Sequence, residues 1–363
     1  CYYTDESLED TDRAPDQGFP DVPYDDAKTE VVEVLNSTPV TIREKYNFQL
    51  EGYHISNSEL RTFKRCHRKW WLAYYRELRL KRPDVTGPRA IGTRLHLALS
   101  AYYNDEDIWE VFNDACEIDR AKVADDPERL AGLEKDIELC RIMLEGYLEW
   151  LEELGVDDGI EIVGNEEVVE VNFTTIRGIA VVLVGKLDLR IKRVTDKLRL
   201  FLDHKSVQSL DVPTLHMDEQ LLQYQLLEYL QFLENGTDIQ EHAVGGLYNM
   251  LRKVKRTANA KPPFYSRVEV RHNQNDMQSY WLRVYGEVED ILQLREKLDA
   301  DYDPRQVAYP NPTRDCSWDC DFLAVCPMFD DGSASEEMLA EYFETHDVHD
   351  HYYVATDTDE KTE

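Results

Sequence analysis

The sequence predicts a mixed α/β protein, with a β-sheet core flanked by helices and an added helical region. Three observations carry this. Runs rich in β-branched and leucine residues, bounded by turn residues, fall between residues 161 and 272. Apolar residues at helical spacing precede and follow them. A helical pattern over residues 218–233 interrupts the strands, as in a mixed sheet rather than a sandwich.

The elements follow in order. Ser56-Asn-Ser-Glu59 is a capping box with Ile55 and Leu60 placed as its hydrophobic staple, so a helix is expected over 57–75. A loop carrying Pro83, Gly87 and Pro88 leads to a second helix over 89–103. Leu130, Leu133, Ile137, Cys140, Leu144, Tyr147, Leu148 and Leu151 keep one helical face up to Gly155. Strands are expected over 161–175, 179–192 and 198–205, with a turn at Arg177-Gly178. After the 218–233 helix come strands near 242–250 and 265–272, then a helix over 276–298. A Pro-rich, cysteine-bearing segment from 304 to 327 closes the body, and no internal repeat is present.

The most informative stretch is the hairpin that ends in Asp203-His204-Lys205. A symmetric loop centred on Thr195-Asp196 sets Leu189 opposite Leu202 and Ile191 opposite Leu200 on one face. It sets Asp188 opposite Asp203 on the other, and Lys205 joins them because side chains two apart share a face. Like charges facing across a ladder are destabilising. A divalent cation between them turns that repulsion into a site, and oxygen ligands suit magnesium or manganese. Lys205 then stands as a fixed positive charge beside a metal-activated water, an arrangement suited to attack on a phosphodiester.

Composition bounds the rest. Of 363 residues, 42% are hydrophobic, enough for a substantial core. No apolar run reaches the length of a membrane span, and no signal-peptide pattern occurs, so a cytoplasmic protein with no membrane partner is expected (a host cytoplasm if the source is viral). The net charge of −32 weighs against a polyanionic partner, but its distribution does not. Residues 1–33 and 331–363 each carry eleven acids, and both ends are expected to be partly disordered acidic tails. Basic residues instead cluster over 61–94, with eleven Lys/Arg against Glu77 and Asp84, and over 252–271, with seven against Glu269. Interleaved with Trp70, Trp71, Tyr74, Tyr75, Phe264 and Tyr265, they suit a nucleic-acid path, with Arg65, Arg68, Lys69, Arg94, Arg252, Lys253, Lys255 and Arg256 as contacts. Solvated helix and hairpin faces would read alike.

Other residues gain meaning from that company. His96, on the second helix, can complete a site with two acids, since neutral imidazole is a common ligand. Gln220 and Tyr224 lie four apart at the start of the helix after Lys205 and share a face; Gln225 and Tyr229 repeat the spacing. Cys316, Cys320 and Cys326 lie close together with Pro327 after the last, and suit zinc or an iron–sulfur cluster, with a fourth thiolate from elsewhere. Cys116 and Cys140 read as core residues.

Taken in order, the segment 56–75 with Cys66, Gly92-to-His96, Gly185-Lys-Leu-Asp188, Asp203-His-Lys205, Gln220-to-Tyr224 and Cys316-to-Cys326 resembles the RecB-type branch of the PD-(D/E)XK nucleases. The likeness is greatest to its iron–sulfur members, the AddB nuclease domain, the CRISPR-associated RecB-like exonucleases and phage exonucleases, and it spans roughly residues 52–330. It implies a restriction-endonuclease-like core with an iron–sulfur region. It also implies Mg²⁺ or Mn²⁺ at His96, Asp188 and Asp203, with the His204 carbonyl a further ligand, and Lys205 as the catalytic lysine. Gln220 and Tyr224 match a Gln-x-x-x-Tyr motif, a role Gln225 and Tyr229 would take in a slipped register. Cys66, Cys316, Cys320 and Cys326 would hold a [4Fe–4S] cluster, although three residues separate the first clustered pair where that family usually has two.

The expected organisation is an acidic segment over 1–48, a helical region over 49–160 supplying Cys66 and His96, the nuclease core over 161–303, the iron–sulfur segment over 304–330 and an acidic tail over 331–363. The expected function is metal-dependent exonucleolytic hydrolysis of DNA ends in recombination, repair or phage DNA processing, with a helicase or recombinase as possible partner. The alternative is a non-catalytic DNA-end-binding or adaptor subunit that keeps the fold.

Overall fold

The computed structural model describes residues 50–352, Pro83 excepted. The expected acidic segment 1–48 lies outside the described residues, as does 353–363. Six strands form the main sheet: β1 (Tyr53–Ser56), β3 (Ile160–Ile176), β4 (Ile179–Arg193), β5 (Arg199–Val207), β6 (Gly245–Arg252) and β7 (Tyr265–Arg271). A short strand, β2 (Leu78–Leu80), pairs antiparallel with β8 (Phe343–Thr345). The helices are α1 (Asn57–Arg65), α2 (His67–Trp70), α3 (Gly87–Tyr103), α4 (Ile108–Lys122), α5 (Pro127–Leu154), α6 (Glu219–Asn235), α7 (Gln274–Asp299) and α8 (Ser335–Tyr342), with one-turn helices in the 304–331 segment left unlabelled. This is the mixed α/β architecture expected, a central mixed sheet with helices on its flanks.

The long strand β4 organises the sheet. Along one edge it pairs antiparallel with β3 over nearly its whole length. Its other edge is shared: Val181–Val184 pair in parallel with β1, and Leu189–Lys192 pair antiparallel with β5. Between those two stretches that edge is open at Gly185, Lys186, Leu187 and Asp188. Beyond Leu202, β5 leaves β4 and continues only with β6, in parallel, as far as Val207. The sheet therefore forks at the level of Asp188 and Asp203.

Hydrophobic patterning fixes that register. Leu189, Ile191, Leu200 and Leu202 form one buried cluster, against which Tyr103 of α3 and Leu247 of β6 pack. A one-residue slip would turn all four to the other face. At roughly 2 kcal/mol per buried aliphatic side chain, no slipped pairing competes. A larger core joins α3, α4 and α5 to Leu251 and Tyr265 of β6 and β7. On the other flank, α6 closes on the sheet because two strand positions lack a side chain. A Cβ on Gly185 would meet Leu227 at 2.5 Å, and one on Gly246 would meet Leu221 at 2.6 Å.

Several expected boundaries shift for local reasons. The helix expected over 57–75 breaks at Cys66, whose extended backbone (φ −163°) ends α1 and caps α2; Trp71–Tyr75 continues as a π-helical turn. Ser56 caps α1 through the Glu59 N–H at 3.2 Å, but the Glu59 carboxylate does not complete the box. Instead it is buried and accepts from Tyr53 at 2.5 Å and Trp70 at 2.9 Å. Residues 331–352, within the segment expected to be a partly disordered acidic tail, include α8, β8 and a final turn; Phe343 is buried and stacks on Phe322. No described helix is long and apolar enough to cross a membrane.

Candidate active site

The fork brings four elements together. α3 supplies His96, β4 supplies Asp188, β5 supplies Asp203 and Lys205, and α6 supplies Gln220 and Tyr224. His96 Nδ1 lies 3.4 Å from Asp188 Oδ2. The same Asp188 oxygen accepts the backbone N–H of His204 at 3.1 Å, which replaces the ladder bond lost where the strands part. Lys205 Nζ lies 2.9 Å from Asp203 Oδ2 and also donates to Gln220 Oε1. The Gln220 amide donates to Asp203 Oδ1 at 2.8 Å and meets the Tyr224 hydroxyl at 2.8 Å. The lysine thus has one fixed position, over the ring of Tyr248 at 5.8 Å.

Electrostatics follow from burial. Asp188 is held up to about pH 7, first by burial and then by the Asp203 charge, against the pull of His96 and Lys205. Burial opposes the Lys205 charge, but Asp203, Asp218 and Asp188 together outweigh it and the ammonium is held above its ordinary range. Burial, reinforced by neighbouring cations, pushes His204 well below its ordinary value, so its ring is neutral. Its Nδ1 accepts from Asn249 Nδ2 at 2.8 Å, which leaves the proton on Nε2. Asn249 is in turn held by Arg267 at 3.2 Å. His204 is therefore a packed neutral ring, stacked on Tyr103 and edge-on to His96 at 5.8 Å.

Gln225 does not belong here. Its amide donates to Ala243 O at 3.0 Å and its carbonyl oxygen pairs with His272 at 2.7 Å, so the slipped Gln/Tyr reading is replaced by Gln220 and Tyr224. Glu166 does belong, although the sequence reading passed over it. On β3 it falls opposite Asp188, between the pairs Asn165–Leu189 and Glu167–Leu187. His96, Glu166 and Asp188 each offer a ligand atom within 4.8 Å of the others, the one such group among the described residues. Glu166 has the left-handed backbone φ of 52°, rare for a non-glycine residue, and pairs with Lys186. A cleft of about 180 Å³ opens beside Gln220 and Tyr224 and is lined also by Asn57, Arg61, Gly185 and Lys186.

The expected DNA contacts divide. Arg94 is 1% exposed and binds Asp119 at 2.7 Å, and Arg68 is 2% exposed and binds Asp330 at 2.7 Å and 3.0 Å. Both are corrected from strand-path contacts to internal braces, because an acid that is remote in sequence neutralises each. Arg65 and Lys69 are engaged with Asp319, Lys255 with Glu138 and Arg256 with Glu149. Arg252 donates to Lys261 O at 3.1 Å, and burial lowers the Lys253 ammonium.

The cysteine-bearing segment is sewn to α1 and α2 by these same cations. Arg89 adds a bond to Asp319 at 2.7 Å, and Asn311 donates to Arg65 O at 2.9 Å. Cys66 Sγ accepts the backbone N–H of Lys69 at 3.5 Å and of Asn311 at 3.4 Å, while Cys316 Sγ accepts from Thr313 at 3.4 Å. Cys320 senses Cys316 and Cys66, and Cys326 senses Cys66, so the four thiols share one neighbourhood. No three of their sulfurs lie within 4.8 Å of one another among the described residues.

Residues 54–327 match the family model of the PD-(D/E)XK nuclease superfamily, a span that holds the fork, α3, α6 and all four of these cysteines. No curated protein matches the chain.

Proposed function

Since this chain belongs to the PD-(D/E)XK nuclease superfamily, whose members cut nucleic acid with divalent metals, we propose that it is a Mg²⁺- or Mn²⁺-dependent DNA exonuclease of the RecB-like, iron–sulfur branch. The observation that carries the reading is the fork itself: Asp188, Asp203 and Lys205 meet where β4 and β5 separate, with His96 and Gln220 reaching in from opposite helices.

His96, Asp188 and Asp203 are the donors proposed for a hard cation, with the His204 carbonyl a further proposed ligand, and of these only His96 and Asp188 fall in the three-donor group with Glu166. When bound, the metal would supply an activated water and neutralise charge on the scissile phosphate. Lys205 does the rest of the electrostatic work. Held by Asp203 and Gln220, its ammonium has no freedom to wander, so it presents a preorganised positive charge where the phosphorane develops negative charge. Tyr224 steadies Gln220 and through it the lysine. Cys66, Cys316, Cys320 and Cys326 are proposed to hold a [4Fe–4S] cluster that ties the segment after α7 to the start of the core. Action on DNA ends, a helicase or recombinase partner and a cytoplasmic setting belong to the same proposal.

The test is Mn²⁺-dependent degradation of end-labelled single- and double-stranded DNA by the full chain and by Lys205→Ala. The variant is expected to lose roughly 10²–10⁴-fold in rate while still binding Mn²⁺. Equal rates, or none in either protein, would favour an adaptor that keeps the fold. Circular DNA resistant where linear DNA is degraded would support the exonuclease reading; equal attack on both would overturn it.

A further inference from the structure

Two features of β3 work against stability. Glu166 stands across the ladder from Asp188, a like-charge pair, and it does so with a left-handed backbone φ of 52° inside a strand. Neither feature helps the sheet, yet together they aim a third donor at the His96–Asp188 pair, close enough for all three to share one ion. In the structure that donor, already beside His96 and Asp188, has its charge held by Lys186. Lys186 is on the open edge of β4, two residues before Asp188, and its side chain is 41% exposed. It also lines the cleft beside Gln220 and Tyr224.

We propose that Glu166 is a ligand of the catalytic cation that Lys186 withholds until DNA arrives: a DNA phosphate entering the cleft draws Lys186 away, and the freed Glu166 carboxylate joins His96 and Asp188 at the metal. This rests on the nuclease reading above and adds to it a coupling between substrate and metal. The ammonium can pair with either a carboxylate or a phosphate. A phosphate diester in the cleft competes for it, and the released carboxylate has a cation as its next partner. By linkage, DNA tightens metal binding and metal tightens DNA binding by the same factor.

The experiment measures Mn²⁺ affinity of the full chain by electron paramagnetic resonance of free Mn²⁺, alone and with a phosphorothioate-linked single-stranded oligonucleotide that resists hydrolysis. Four proteins are compared: the unaltered chain, Lys186→Ala, Glu166→Gln and the double variant. Lys186→Ala is expected to bind Mn²⁺ roughly fivefold or more tightly without DNA, and to gain less from DNA than the unaltered chain. Glu166→Gln is expected to bind weakly in both conditions. In the Glu166→Gln background, Lys186→Ala should change nothing. If it tightens Mn²⁺ binding equally in both backgrounds, only net charge matters and the latch is overturned. If Glu166→Gln binds Mn²⁺ as the unaltered chain does, Glu166 is not a ligand. Absence of Mn²⁺ binding by the unaltered chain would defeat the nuclease reading as well; normal binding with no such coupling defeats the latch alone. Unchanged thermal unfolding in EDTA keeps misfolding from mimicking either result.

Discussion

Asp188 should destabilise the metal-free protein, and replacing it should show this directly. Its carboxyl rises from an ordinary value of 3.8 to about 7, chiefly through burial and then through Asp203. A carboxyl whose folded pKa lies above its unfolded value holds its proton more tightly in the folded chain. Its contribution is therefore nil below about pH 4, grows more unfavourable as pH climbs toward 7, and is constant above that. At 1.36 kcal/mol per unit, three units make about 4 kcal/mol, an upper bound for a side chain that keeps some contact with water. Asp188→Asn removes the charge while the amide oxygen can still accept the His204 N–H. In EDTA at pH 8 the variant should unfold at a higher temperature and denaturant midpoint than the unaltered chain. At pH 4 the two should coincide. Mn²⁺ at 1,000 times its Kd should cancel the difference at pH 8, since it adds about 4.1 kcal/mol and only the unaltered chain retains the donor. A variant equally or less stable in EDTA at pH 8, or stabilised equally at pH 4 and pH 8, would refute the reasoning. Either result would mean that Asp188 is not the strained half of a waiting metal site.

Other tests reach the supports of the site. Glu228 is fully buried on α6 and accepts from Arg199 at 3.0 Å and from the Ala243 N–H at 2.6 Å; Glu228→Ala should lower stability by about 3 kcal/mol in urea denaturation, because it strands a cation and a backbone donor. Gly185→Ala should lower stability by about 1–3 kcal/mol and reduce DNA cleavage, since the new methyl would push Leu227 and α6 away from β4 and carry Gln220 with them. Cys66→Ser should abolish the visible absorption and iron content of anaerobically purified protein. Iron bound equally by variant and unaltered chain would exclude Cys66 from the cluster.

What the sequence made legible was whatever obeys a short period. The β4–β5 register could be read because a symmetric turn and four alternating leucine and isoleucine side chains admit one pairing, and the structure pairs Leu189 with Leu202 and Ile191 with Leu200. α6 and α7 could be read from their apolar spacing. β1 could not, because four residues paired in parallel to a strand more than a hundred residues away leave no local pattern. The basic run over 61–94 looked like a nucleic-acid path because its partners, Asp119, Asp319 and Asp330, lie far along the chain. The helix break at Cys66 was equally silent, since Lys64, Arg65, His67 and Arg68 are all acceptable in a helix and only the fold shows the sulfur turned to Asn311.

Glu166 shows why a site residue can hide in a strand that is otherwise read well. Counting back from the Arg177-Gly178 turn, Ile176 pairs with Ile179 and Thr174 with Val181, and an unbroken ladder would put Glu167 across from Asp188. A bulge between Asn172 and Thr174 removes one residue from that count, so Glu166 falls there instead. Because strand side chains alternate, that single step decides which of two adjacent glutamates stands across from Asp188; the other, Glu167, pairs with Arg190 at 2.8 Å. The bulge carries no glycine or proline to announce it. The same irregularity that concealed the residue is what aligns it with His96 and Asp188: deleting the bulged Phe173 should leave Glu166 opposite Asp188, whereas inserting one alanine between Val169 and Glu170 should slide Glu167 into its place. Mn²⁺ affinity of that insertion variant should fall with Glu167→Gln rather than with Glu166→Gln; loss with Glu166→Gln alone would show that β3 positions its carboxylates by something other than ladder parity.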